Sequence, residues 1–159
     1  MKWHIIGSNS YIAKRLLRRL GSSDTVVCYS RHPVSGEKLL DLTGFTKDSF
    51  VDLEPGDMVI VFAAISSPDE CHKNYDASYY VNVVGTGALI EDSLACGARV
   101  LFLSSDAVIG STKEEKDESM PVYPIGEYGQ MKYFIEQQFS YHKNFKVFRL
   151  SYVLSKEDK

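Results

Sequence analysis

Met58-Val59-Ile60-Val61-Phe62-Ala63-Ala64-Ile65 is apolar at every position, so neither alternating face of this strand-length run carries a polar residue. Strands read this way when helices cover both faces of their sheet, the usual situation of a parallel sheet. The run therefore belongs at the sheet centre. Upstream, residues 3 to 6 are a short apolar run ending at Gly7, and Ile12, Leu16, Leu17 and Leu20 follow at helical spacing, giving strand, turn and helix. Gly21-Ser22-Ser23-Asp24 stops that helix, Thr25-Val26-Val27-Cys28-Tyr29 has the β-branched and aromatic content of a second strand, and Leu39-Leu40 is a candidate minor third. Downstream, a helical stretch from Asp76 to Ala95 is stopped by Gly97, and Arg99-Val100-Leu101-Phe102-Leu103 is the next strand. The segment 111 to 124, with Lys113-Glu114-Glu115-Lys116-Asp117-Glu118 and prolines nearby, reads as an exposed loop. Tyr128 to Tyr141 is amphipathic, with Phe134, Ile135 and Phe139 on one side, and Phe145 to Leu150 closes as a strand. This alternation predicts an α/β fold: a Rossmann-type doubly wound parallel sheet in three αβα layers, one domain over residues 1–159. Ligands are then expected at the carboxyl ends of the strands.

Composition narrows the function. A chain of 159 residues with 44% hydrophobic content suits one domain with its own core, and a net charge of −3 supplies no basic footprint for nucleic acid and no polybasic patch for a membrane. Small ligands are the expected partners. Cys28, Cys71 and Cys96 are widely spaced with no Cys-x-x-Cys pair, so neither a disulfide framework nor a zinc knuckle is indicated, and a reducing compartment is expected. His4 falls in the first strand and His142 near a helix end, both suited to structural or surface roles, and no metal is assigned. The apolar run after Met1 is too short for a signal peptide and nothing approaches the ~20 apolar residues of a membrane span, so the expected location is cytoplasmic.

The candidate motifs fall at the strand ends. Gly7-Ser8-Asn9-Ser10-Tyr11-Ile12-Ala13 occupies the first strand-to-helix turn, where backbone amides can hold a pyrophosphate. Only the first of the usual three glycines is present, because Ser10 and Ala13 hold the other places; Ser10 suits either a helix cap or a phosphate contact, and an ordinary capped turn fits the pattern as well. The second strand ends in Tyr29-Ser30-Arg31-His32 with no carboxylate for a ribose diol. Ser30 and Arg31 suit a 2′-phosphate instead, hence NADP(H) in preference to NAD(H), with an exposed loop arginine as the alternative and His32 as a bystander. Asp41 and Leu42 suit an adenine amine and ring, although Asp41 serves equally as a turn cap. Ala63, Ala64 and Ile65 end the central strand, where small side chains admit a flat ligand or tight core packing. Asn82-Val83-Val84-Gly85-Thr86-Gly87 places an amide and two glycines in a helix, at up to ~1 kcal/mol per glycine, so something approaches that face, cofactor or packing neighbour. Ser104-Ser105-Asp106 ends the next strand, where a hydroxyl can stabilise a developing oxyanion. Tyr128 and Lys132, four apart on a helix, stack phenol and ammonium on one face, and a nearby ammonium favours the phenolate. Tyr152 and Lys156 repeat the spacing past the last strand without such a context.

Taken in order, Gly7-x-x-Ser10-x-x-Ala13, Asp41-Leu42, Ala63-Ala64, Asn82-x-x-Gly85-Thr86, Ser104-Ser105 and Tyr128-x-x-x-Lys132 resemble the extended short-chain dehydrogenase/reductase family over nearly the whole chain. Ser67-Pro68-Asp69-Glu70-Cys71 and Ser104-Ser105-Asp106-Ala107-Val108 are most similar to its dTDP-4-dehydrorhamnose reductase branch. The resemblance implies an NAD(P)-dependent enzyme acting on the keto group of a nucleotide-linked sugar. It implies Tyr128 as proton donor, Lys132 lowering the Tyr128 pKa and holding the nicotinamide ribose, Ser105 polarising the carbonyl, and Ser104 beside the nicotinamide. The remaining cofactor contacts are expected at Gly7, Asn9, Ser10, Tyr11, Ile12, Ser30, Arg31, Asp41, Leu42, Ala63, Ala64, Ile65 and Asn82. A homodimer through the two long helices is the oligomer it allows. Members of the family are typically about twice as long, and their carboxyl half forms the lobe that grips the nucleotide-sugar. With the last strand followed closely by Lys159, that lobe is expected to be absent from this chain. An epimerase or dehydratase that returns the hydride to its own substrate, and a non-catalytic NADP-binding regulatory module, are the alternatives.

Overall fold

The computed structural model describes residues 1–21, 24–46, 50, 52–110, 117, 119–151 and 153. The Tyr152–Lys156 pair and most of the charged loop, residues 111–116 and 118, lie outside the described residues. Six parallel strands are described: β1 (Lys2–Ile6), β2 (Thr25–Ser30), β3 (Lys38–Leu39), β4 (Met58–Val61), β5 (Arg99–Ser105) and β6 (Phe145–Leu150). They form one sheet in the order β3-β2-β1-β4-β5-β6, the doubly wound order with its reversal between β1 and β4. In register, Ile6 lies beside Tyr29 on one side and Val61 on the other.

Helix α1 (Tyr11–Leu17) covers one face, packing Ala13, Leu16 and Leu17 against Ile5 and Ile60. The other face carries Val59, Val61, Val100 and Phe102. They pack against Leu89, Ile90 and Leu94 of α4 (Thr86–Ala95) and Met131, Ile135 and Phe139 of α5 (Gly126–Phe139). Burying each such side chain contributes roughly 1.5–3 kcal/mol, so these two faces hold the layers together. Ala13, at the third glycine position, is fully buried, so its methyl fits between helix and sheet. His4 is structural: it is fully buried in β1, with Nε2 3.2 Å from Asp57 Oδ2 and Nδ1 3.1 Å from the Tyr29 hydroxyl. Among the described residues no helix is long and apolar enough to cross a membrane.

Three elements differ from the sequence reading. The apolar run of 58–65 pairs only as far as Val61, because Phe62 and Ala63 both donate to the Ile6 carbonyl, at 2.9 and 3.0 Å, and the chain then leaves the sheet. Residues 62–65 are half-buried at the strand ends, so apolar continuity there did not mark strand pairing. The long helix expected from Asp76 begins earlier and is segmented: α2 (Pro68–Lys73), α3 (Tyr75–Tyr79), a π-helical stretch Tyr80–Gly85, then α4. Ser67 caps α2 by accepting from the Glu70 amide, and Pro68 occupies its first turn, where a missing N–H is harmless. Finally, β5 runs two residues further than expected, to Ser105, which brings Ser104 and Ser105 into the ladder opposite Arg149 and Leu150 of β6.

Candidate functional site

The reversal of strand order opens a crevice where β1 and β4 end. Gly7 closes β1 with φ of 84°, a conformation that costs a residue with a Cβ about 1–2 kcal/mol. An added Cβ would also stand 2.7 Å from the Ala63 nitrogen and 2.9 Å from its Cα. The two strand ends therefore approach through backbone alone. Ser10 caps α1, accepting from the Ala13 amide at 3.2 Å, which leaves its hydroxyl proton for a ligand.

A cavity of about 190 Å³ lies over this crevice. Gly7, Asn9 and Ser10 line it from the turn, Ser30 and Arg31 from the end of β2, and Ala63, Ala64 and Ile65 from beyond β4. Asp41 and Leu42 close its far side on a 3-10 turn, Leu42–Gly44. His32, read from sequence as a bystander, lines it too, its amide donating to Ser30 Oγ at 3.1 Å. Asp41 does act as a turn cap: Oδ1 accepts from the Thr43 amide at 2.9 Å and the Thr43 hydroxyl at 2.8 Å, and these bonds hold its carboxyl below the usual range.

A second cavity, about 520 Å³, is lined by Tyr11, Ile12, Ser104, Ser105, Tyr128 and Lys132. It shares Ser10, Phe62 and Ala64 with the first, so the two adjoin end to end. Ser104 Oγ is buried with no hydrogen-bond partner among the described residues. Ser105 Oγ accepts from the Ala107 amide at 3.2 Å and donates to Asp106 Oδ1 at 3.3 Å. This cradle and this orphan hydroxyl suit a dinucleotide laid across the strand ends, phosphates over Gly7 and its flat terminal ring beside Ser104.

Lys132 is buried, and its Nζ donates to the Leu103 carbonyl at 2.8 Å, 4.5 Å from the Phe102 ring centroid and 5.7 Å from that of Tyr128. Burial pulls its pKa down to about 8. The same burial, with the negative charge of Asp106 and the neighbouring Cys71, pushes Tyr128 up to about 12. The expected acidification of Tyr128 by Lys132 is thus reversed in this structure: desolvation of the phenol outweighs an ammonium held on a backbone carbonyl. A lysine whose folded-state pKa lies below its unfolded value binds fewer protons than the unfolded chain between the two. Stability should therefore rise with pH from about 8 towards the ordinary lysine range, by on the order of 3 kcal/mol for the pair of values seen here. Melting curves across that window should show this slope in the parent chain and lose it in Lys132→Met; an unchanged slope would contradict a buried ammonium.

Asn82 lines neither cavity. Its amide faces the Ile65 backbone, Oδ1 accepting from the Ile65 nitrogen at 2.8 Å and Nδ2 donating to the Ile65 carbonyl at 2.9 Å. Asn82 therefore stands behind Ile65, bonded to its backbone, and not at the wall of either cavity. Of the two helix glycines, Gly85 is explained by packing, since a Cβ there would stand 1.9 Å from the Leu42 carbonyl oxygen, whereas a Cβ on Gly87 would make only ordinary contacts with Gln138 and Ile135 of α5. Sequence reading missed Phe62, Ser66 and Pro68, which line the larger cavity. Their place just beyond the end of β4 was the available signal.

The profile of the NAD dependent epimerase/dehydratase family matches residues 3–157. The chain belongs to this family. Among epimerase/dehydratase-type folds, the dTDP-4-dehydrorhamnose reductase of Bacillus anthracis, solved in complex with NADP, superimposes with a TM-score of 0.82 at 27% identity, covering 97% of this chain and 55% of that one. The dTDP-4-dehydrorhamnose reductase of Clostridium acetobutylicum gives 0.82 at 25% identity, with 98% and 55% covered. The spore coat polysaccharide biosynthesis protein SpsK of Bacillus subtilis is 32% identical over 87 residues, 54% of this chain and 30% of that protein. The chain thus spans about half the length of the solved relatives and less of the curated one. Among the described residues no group of three His, Cys, Asp or Glu is placed to hold a metal ion.

Proposed function

We propose that this chain is the NADP(H)-binding, proton-donating half of an oxidoreductase that reduces the keto group of a nucleotide-linked sugar, in the manner of a dTDP-4-dehydrorhamnose reductase. The observation that carries the reading is the convergence of Ser104, Ser105, Tyr128 and Lys132 on a cavity that adjoins the Gly7–Ala63 crevice. The complex of the Bacillus anthracis relative with NADP supports the choice of cofactor. NADP(H), when bound, supplies the hydride. Gly7, Asn9 and Ser10 hold its pyrophosphate, Ser30 and Arg31 its 2′-phosphate, and Asp41 and Leu42 its adenine. Ala63, Ala64 and Ile65 form the floor, Ile65 fixed from behind by Asn82. Tyr11 and Ile12 wall the junction with the larger cavity, and Ser104 faces the nicotinamide amide.

Substrate chemistry falls to three side chains. The Ser105 hydroxyl, turning its proton from Asp106 to the substrate carbonyl, draws charge onto that oxygen. Tyr128, protonated throughout the neutral range, gives its proton to that oxygen as the carbon is reduced. Lys132, charged below about 8, stabilises the phenolate left behind and offers its remaining N–H groups to the ribose diol. The reading includes a substrate-gripping lobe outside residues 1–159, because the solved relatives extend well beyond the region matched.

The test is a pair of fluorescence titrations of this chain, followed by turnover of nucleotide-linked keto-sugars by the enzyme that includes the lobe. NADPH should bind more tightly than NADH, and Arg31→Ala should reduce that preference about tenfold, the loss of one charge-assisted hydrogen-bonding group. Equal affinity for both in the parent chain would overturn the NADP assignment. The family also includes epimerases and dehydratases. One NADPH consumed per product supports the reductase; product with no net change in absorbance supports the alternative; tight binding without turnover supports a regulatory module.

A further inference from the structure

Glu37 is the acidic residue nearest the dinucleotide turn that no part of the proposed chemistry uses. It sits just before β3, seven residues past the end of β2, and its carboxylate joins two segments distant in sequence. Oε1 lies 2.6 Å from the Ser8 hydroxyl, and Oε2 accepts from the Val34 amide at 3.0 Å. The Ser8 hydroxyl has one proton and two acceptors in reach, the second being the Tyr29 carbonyl at 3.2 Å. That carbonyl already accepts from the Gly7 and Ser8 amides, at 2.9 and 3.1 Å. The proton therefore goes to the shorter, charged acceptor, and the Ser8–Glu37 bond is charge-assisted. Ser8 is buried at 2% exposure, so one end of the contact is anchored in the turn between β1 and α1. The other end ties down the exposed loop of residues 31–36, which carries Arg31 and His32 to the edge of the smaller cavity.

We infer that Glu37 is a positioning residue for cofactor selectivity: by fastening the Arg31–His32 loop to the Gly7–Ser8 turn, it holds Arg31 where a 2′-phosphate would lie. This rests on the NADP(H) reading above. Its two acceptor oxygens are both engaged, which keeps the carboxylate out of the cavity and away from the phosphate it would repel. The bonds from Ser8 and Val34 also hold its pKa below the usual carboxylate range, so the staple is ionised near neutral pH.

Binding of NADPH and NADH to the parent chain, Glu37→Ala, Glu37→Gln and Ser8→Ala separates the outcomes. The staple predicts that Glu37→Ala and Ser8→Ala weaken NADPH about tenfold and NADH less than about twofold, the loss of one charge-assisted hydrogen bond felt only through Arg31. Glu37→Gln, which can still accept from Val34 and bond Ser8, should retain most of the preference. A purely electrostatic Glu37 predicts the reverse, tighter NADPH in both Glu37 variants, and that result overturns the inference. So does an equal loss of both cofactors, which marks a structural role only, and so does a preference unchanged in Glu37→Ala and Ser8→Ala. If Glu37→Ala does not fold, Ser8→Ala against Glu37→Gln decides the same question. A parent chain with no NADPH preference overturns the cofactor reading and the staple together; a preference that survives the variants overturns the staple alone.

Discussion

Tyr128→Phe lowers turnover by about 10²–10⁴-fold in the enzyme that includes the substrate lobe, while its affinity for NADPH stays within about twofold of the parent. The size follows from what the substitution removes. Phenylalanine keeps the ring that lines the larger cavity and deletes only the hydroxyl, so packing and the cofactor surface persist. In the proposed mechanism the lost group is the one that gives its proton to the carbonyl oxygen as the carbon is reduced. Tyr128 is pushed up to about 12, so it is fully protonated at neutral pH and ready to donate, but reluctant to remain a phenolate. Lys132 offsets that reluctance while charged, and its pKa near 8 implies that the rate falls as pH rises through that value. A Tyr128→Phe enzyme with near-parental turnover would remove the phenol from the mechanism, because nothing else in the reading supplies that proton.

Gly7→Ala unfolds a large part of the chain's margin of stability and abolishes measurable NADPH binding. Two effects combine, and their sizes can be separated. A left-handed φ costs alanine about 1–2 kcal/mol, and forcing a methyl into occupied space costs typically 1–3 kcal/mol more. Gly36 supplies the control: its φ of 87° is nearly the same as the 84° of Gly7, yet nothing lies within 4 Å of the position its Cβ would take. Gly36→Ala should therefore show the conformational cost alone. At Gly7 the obstacle is the Ala63 backbone, which cannot rotate away, so the segments leaving β1 and β4 must separate where both line the smaller cavity. Denaturant unfolding of the two variants measures the difference, and NADPH titration shows which of them retains a site. If Gly7→Ala costs no more than Gly36→Ala and binds NADPH normally, the close approach of the strand ends has no part in cofactor binding.

The sheet was legible because its evidence is periodic and local. Thr25 to Tyr29, Arg99 to Leu103 and Phe145 to Leu150 each form the strand that their composition predicts, and the strand order follows from the alternation with helices. Phe62 to Ile65 misled because an apolar run is not specific to sheet pairing: these residues are half-buried and line the crevice itself. The segmentation around Asn82 could not be read either. A π-helical stretch depends on what the helix must accommodate, here the Leu42 carbonyl against Gly85 and the Ile65 backbone against Asn82, contacts that span 43 and 17 residues respectively in the chain.

The residues singled out at the strand ends were brought together as a group, since the two cavities are lined by all of them except Asn82. Their electrostatics were not legible. The spacing of Tyr128 and Lys132 predicts an acidified phenol, whereas both pKa values are set chiefly by how deeply each group is buried. Glu37 was invisible for a similar reason: its partner Ser8 lies 29 residues away, and no motif announces the contact.

The central claim is that one dinucleotide occupies both cavities, with its phosphates at Gly7 and its nicotinamide at Tyr128. A crystal structure of this chain grown with NADPH tests it most directly. The account predicts adenine against Asp41 and Leu42, the 2′-phosphate within hydrogen-bond distance of Arg31, and the nicotinamide between Ser104 and Tyr128 with its ribose on Lys132. Density for the cofactor elsewhere on the molecule, or a nicotinamide turned away from Tyr128, would contradict it.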